Sequence, residues 1–207
     1  MTGEELRELV RMRFEHSMAV PEAFFAAEAT RIAEACWAMA RRFHAGGRLL
    51  AFGNGAWATD AQHVAVEFVH PVIVGKRALP ALALTNNSAA LSHTRGDGTP
   101  FARQLATLAR QQDIAMGLSP DGWCANVLDA LRVARRAGLL TLALAGGDGG
   151  PLARADLDYC FVVPAQDPLA VQETHETLYH VLWELVHVFF EHEGLLKAEG
   201  CVVDDGR

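Results

Sequence analysis

The feature that most constrains this chain is a repeating alternation. Five short apolar runs, at 49–52, 81–84, 114–118, 139–145 and 159–163, are separated by segments with helical character. Continuous apolar runs of this length read as strands buried on both faces, as in parallel sheets. Strands alternating with helices predict an α/β fold, an open five-stranded parallel sheet covered by helices on both faces. Ligands of such sheets bind beyond the carboxyl ends of the strands, near the point where strand order reverses. Three loops, 53–59, 85–88 and 119–124, fall at such ends and are rich in glycine and small polar residues.

The remaining segments read as helices. Apolar spacing predicts two N-terminal helices, 4–17 and 21–45, with Pro21 at the start of the second and Gly46-Gly47 ending it. A further helix is expected to open at Thr59 or Asp60, both good N-cap types. Shorter helices are expected from Ser88, over 101–110 and over 126–137, the last capped by Gly138. Asp167-Pro168 opens a long terminal helix, expected to end near Glu193 at Gly194. No linker or internal repeat interrupts this order, so a single domain is expected over 1–197, followed by a polar tail at 198–207.

Composition removes several functions. The net charge is −7 with both signs mixed, which gives no electrostatic case for nucleic acid. No run approaches the roughly 18 apolar residues of a membrane span. The N-terminus is acidic and lacks the apolar stretch of a secretory signal. Cys36, Cys124, Cys160 and Cys201 form no CxxC pair, which suits a reducing, cytoplasmic setting.

Three constellations could carry chemistry. After the first strand, Gly53-Asn54-Gly55 breaks the chain and a helix follows on which His63 and Glu67, four apart, share a face. Alone, such a pair is also the geometry of an ordinary structural hydrogen bond. The terminal helix carries Gln172, Glu173, His175, Glu176, Tyr179 and His180 near its start. Imidazoles and carboxylates drawn from both helices suit Zn²⁺ or a similar divalent ion. Gln172 and His180 are roughly 12 Å apart along an ideal helix, so one ion would require a long reach, a distorted helix start or a second chain. The third constellation is Ser119-Pro-Asp-Gly-Trp-Cys124. A loop between strand and helix can cradle phosphate through backbone N–H groups. Here Asp121 adds negative charge, Pro120 removes a donor and Trp123 adds bulk, which makes a poor cradle for a dianion.

The joint pattern resembles the sugar isomerase (SIS) domain family, and within it the phosphoheptose isomerases. The first family motif, Gly-Asn-Gly-Gly-Ser-x-x-Asp-Ala-x-His-x-x-x-Glu, is matched by Gly53, Asn54, Gly55, Asp60, Ala61, His63 and Glu67. The second, Gln-Glu-x-His-x-x-x-x-His, is matched by Gln172, Glu173, His175 and His180. The resemblance implies a flavodoxin-like SIS fold and a homotetramer with sites between subunits, its N-terminal and C-terminal helices bundled centrally. It further implies one zinc or other divalent ion per subunit, held by His63, Glu67, Gln172 and His180. Glu67 would be the base and His180 the acid of an aldose–ketose interconversion. Substrate contacts would come from Asn54, Gly55, Trp57, Asn86, Asp97, Ser119, Asp121, Trp123 and Asn126.

The departures are confined to the substrate side. The family phosphate loop, Ser-Thr-Ser-Gly-Asn-Ser-Gly-Asn, is here Ser119 to Asn126 with three of its four hydroxyls lost. Trp57 stands where the family has serine, and with Trp123 it would narrow the pocket or form a stacking platform. The segment after Asp97 is also shorter than in the family. Two readings remain at this point. One is an isomerase for a sugar, sugar phosphate or polyol gripped in an altered way. The other is a non-catalytic SIS adaptor or regulator that binds a sugar or a partner protein, as the initiator-associating members bind the replication initiator.

Overall fold

The computed structural model describes residues 1–92 and 99–196. Along the chain run α1 (Gly3–His44), β1 (Leu49–Gly53), α2 (Ala56–Val69), β2 (Ala81–Ala83), α3 (Ser88–Ser92), α4 (Pro100–Leu108), β3 (Ile114–Leu118), α5 (Ala125–Arg136), β4 (Leu140–Gly146), α6 (Gly150–Ala153), β5 (Tyr159–Val163), α7 (Pro168–Glu191) and α8 (Glu193–Leu196). Among the described residues the strands form one sheet in the order β2-β1-β3-β4-β5. Every pairing is parallel, with Leu49 opposite Ala81 and Ile114. The expected sheet and its alternation with helices are therefore present.

Side-chain alternation along the strands divides the core into two layers. Leu49, Ala51, Met116, Leu142 and Leu144 face a layer built with α1, α2 and α7, which contribute Met39, Phe68, Leu178 and Leu182. Leu50, Phe52, Ala115 and Ala143 face α4 and α5, which contribute Phe101, Leu105, Val127 and Leu131. Order reverses at β1, whose neighbours are β2 and β3, so the crevice lies between the turns that follow β1 and β3.

The two expected N-terminal helices are one. α1 runs unbroken for 42 residues with Pro21 inside it. Proline removes one intrahelical hydrogen bond, but contacts on either side keep the axis continuous. Upstream, the Thr2–Glu5 capping box closes the first turn, and Arg13 pairs with Asp167 at 3.1 Å and Glu173 at 2.6 Å. Downstream, Phe24, Ile32 and Met39 are buried in the core. A second correction concerns α2. It starts at Ala56 behind Gly55, whose φ is +58°, and not at Thr59 or Asp60. Asp60 is buried and serves the site described below. α7 ends at Glu191, two residues short of the expected end, and Gly194 lies within the short α8.

Candidate active site

Two helices build the site from the same face of the sheet. Asp60, His63 and Glu67 recur at i, i+3 and i+7 on α2, so they form one row. Gln172, Glu176, Tyr179, His180 and Trp183 present a matching row on α7. The helices are fixed to each other by partly buried polar contacts. The Trp183 indole donates to the Glu67 carbonyl at 2.8 Å, and the Tyr179 hydroxyl lies 2.8 Å from His63 Nδ1.

His63, Glu67 and His180 converge there. One donor atom from each lies within 4.8 Å of the others, a spacing that could hold a metal ion. His63 Nε2 is 3.3 Å from Glu67 Oε1, and the His63 and His180 rings meet edge-on at 5.2 Å between centroids. The three line an open cavity of about 390 Å³ together with Val72, Trp183 and Glu184. Two imidazoles and a carboxylate are a fitting donor set for a divalent ion.

Gln172, the fourth residue expected to join them, is tied to Asp60. Its amide nitrogen donates to both Asp60 oxygens, at 3.1 and 3.0 Å. Burial holds the Asp60 carboxyl above the usual aspartate range; Gln172 opposes the shift, Glu176 adds to it, and His63 opposes it. His175 belongs to the scaffold instead. It is fully buried, accepts from the Trp57 indole at its Nδ1 (3.1 Å) and faces the Ala145 carbonyl with Nε2 (3.1 Å). An indole only donates, so Nδ1 carries the lone pair and Nε2–H donates to Ala145. Burial pushes the His175 pKa down to about 4, which keeps the ring neutral.

That arrangement corrects the expectation for Trp57. Its side chain is buried against α7 and forms no platform with Trp123. The start of α2 at Ala56 puts Trp57 on the helix, not the loop, so its ring turns inward. Trp123 is exposed and its indole edge lies over Gly150, where an added Cβ would meet it at 2.8 Å.

At the crevice, Asn54 and Asn126 exchange amide hydrogen bonds of 2.9 Å in both directions, joining the turns after β1 and β3. Gly55 and Asn86 are exposed at the same strand ends. Ser119 is buried and its hydroxyl accepts from Gly122 N–H at 2.9 Å. Asp121 accepts from Trp123 N–H at 2.9 Å. Two backbone donors of the loop are thus consumed by its own side chains. Gly122 has φ +79° and abuts Gly149, where a Cβ would lie 1.9 Å from the carbonyl oxygen, so the loop is locked onto the turn before α6. Asp97 lies outside the described residues.

Comparison with known proteins identifies the family. The SIS domain family pattern matches residues 14–146. A phosphoheptose isomerase from Thermodesulfovibrio yellowstonii is 38% identical over 191 residues, covering 90% of this chain and 94% of that protein. The chain belongs to the SIS domain family, among the phosphoheptose isomerases. The phosphoheptose isomerase structure from Neisseria gonorrhoeae superposes with a TM-score of 0.80 at 31% identity, covering 87% of this chain and 98% of that one. That from Francisella tularensis gives 0.82 at 28% identity, covering 91% and 100%. The sequence offered Asp60 only as a helix cap and motif match and Tyr179 only as one of a polar cluster, with no site role for either. Their signal was available in the helical spacing that sets each on the same face as a candidate ligand.

Proposed function

We propose that this chain is an aldose–ketose isomerase of the phosphoheptose isomerase type, acting on a sugar phosphate with one zinc or similar divalent ion per subunit. The observation that carries the reading is the convergence of His63, Glu67 and His180 in one cavity between α2 and α7. It is joined by the likeness to phosphoheptose isomerases over most of the chain. His63, Glu67 and His180 would hold the ion, with the Gln172 oxygen as a fourth donor. When bound, the ion supplies a Lewis acid that polarises a sugar oxygen.

The residues of the chain move the protons. Glu67 takes a proton from the carbon beside the carbonyl and returns one to the neighbouring carbon. His180 donates to the carbonyl oxygen and accepts from the adjacent hydroxyl, so aldose and ketose exchange through an enediol with no net gain or loss of atoms. Asn54, Gly55, Asn86 and Asn126 are assigned to substrate, at the strand ends where crevice ligands bind, while buried Ser119 shapes the loop beneath them. The adaptor reading is not favoured, because the matched relatives are isomerases and the donor triad is complete.

A homotetramer with shared sites follows from the same reading. Leu9, Val10, Met12 and Phe14 are exposed along α1, and Val72, Ile73 and Val74 are exposed beside the cavity, which suits cover by neighbouring subunits. We assign the enzyme to the cytoplasm; Cys36, Cys124 and Cys160 carry free thiols, and no described helix is long and apolar enough to cross a membrane.

The deciding experiment is exchange. Zinc-loaded protein is incubated with a ketoheptose 7-phosphate in D₂O and followed by proton NMR. Deuterium is expected at the carbon beside the carbonyl together with appearance of the aldose, and neither is expected from Glu67→Gln. Absence of both from the wild-type protein refutes the reading.

A further inference from the structure

Tyr179 is among the largest fully buried side chains of the protein, yet its hydroxyl is not spent on the scaffold. It lies 2.8 Å from His63 Nδ1 and is the nearest polar group to that nitrogen; Glu176 Oε1 is further off at 3.7 Å. His63 Nε2, on the other side of the ring, faces Glu67 at 3.3 Å. The ring is therefore held between a phenol and a carboxylate, with Nε2 on the side of the triad.

We infer that Tyr179 is a positioning residue that holds the His63 ring with Nε2 toward a metal ion, and that can partner Nδ1 in either neutral tautomer. The inference rests on the metal-dependent reading above. Only a nitrogen lone pair can ligate, so Nε2 can do so only when the ring proton sits on Nδ1. In that form Nδ1–H donates to the Tyr179 oxygen. When the ring proton sits on Nε2 instead, the Tyr179 hydroxyl turns to donate to Nδ1. A carboxylate or backbone carbonyl accepts only and would fit one tautomer; a phenol both donates and accepts and fits both.

The ring also packs edge-on against both His63 and His180, at 5.3 and 5.0 Å between centroids, so it fixes the tilt of the two imidazoles. Outer partners of this kind orient ligating histidines and are worth tenfold to a hundredfold in metal affinity.

The test uses full-length protein stripped of metal, Zn²⁺ with a competing chromophoric chelator, and ¹⁵N-labelled histidine. Tyr179→Phe keeps the ring and removes only the hydroxyl. Zinc affinity is expected to fall by about tenfold or more. In the wild type with zinc bound, His63 is expected to carry its proton on Nδ1, a readout that does not depend on the variant folding. Zinc affinity unchanged by Tyr179→Phe, or zinc seated on Nδ1 in the wild type, overturns the role of Tyr179 while leaving the centre intact. Failure of the wild type to bind zinc removes the centre and this inference with it.

Discussion

The buried His175 makes the stability of this protein steeply dependent on mild acid. The ring has no water to turn to: Trp57 donates to one nitrogen and the Ala145 carbonyl takes the proton of the other. Its pKa is pushed down to about 4, against 6.5 for the unperturbed ring. The unfolded chain therefore binds a proton between those values that the folded chain refuses. Stability contributed by the neutral ring is fully present above pH 6.5 and is lost as pH falls toward 4. Linkage puts the loss from this one group at about 2 kcal/mol between pH 7 and pH 5. The assay is urea unfolding at fixed protein concentration at both pH values. His175→Gln is the control, since a glutamine can accept from Trp57 and donate to Ala145 but does not titrate. The variant is expected to be less stable at pH 7 and to lose about 2 kcal/mol less than wild type on going to pH 5. Equal losses in the two proteins would refute the assignment of the acid sensitivity to His175.

Two other outcomes are expected. Asp121 places a carboxylate on the loop after β3 with its neighbouring N–H already committed, so Asp121→Ser is expected to raise kcat/KM for a phosphorylated ketose about fivefold, matching about 1 kcal/mol of relieved surface repulsion. Turnover of the same sugar without phosphate should not change, and an equal rise for both would show that Asp121 does not meet the phosphate. The Asp60–Gln172 pair is open to an exchange: Asp60→Asn and Gln172→Glu are each expected to weaken zinc binding, while the double variant, which reverses donor and acceptor, restores it to within about threefold. A double variant no better than the worse single one would mean that the hydrogen bond is not what the site requires.

Much of this is legible in the sequence. The sheet could be read because each strand is a short apolar run ended by glycine, a small polar residue or, after β5, Pro164, and parallel strands carry that signal without needing their partners. His63 and Glu67 could be paired because four residues on a helix are neighbours by geometry. Pro21 misled because proline is common at helix starts, and what carries the helix through it is long-range: the Arg13 pairs with Asp167 and Glu173 and the burial of Phe24. Trp57 misled because its direction depends on where α2 begins, and that is set by the positive φ of Gly55 four residues before the expected cap window. The chain could not show that Gln172 is occupied by Asp60, because that contact joins residues 112 positions apart.

The unbroken α1 has a consequence of its own. Forty-two residues at the helical rise make a rod about 60 Å long, longer than a compact domain of this size is wide. Its outer turns carry exposed Leu6, Leu9, Val10 and Phe14 and draw little support from their own chain. Isolated turns of this kind are marginal in water. In the proposed tetramer their order would be set by mass action: dilution removes the neighbouring copies and frays the rod from Gly3 inward, so the apparent melting temperature of this chain is expected to rise with its own concentration.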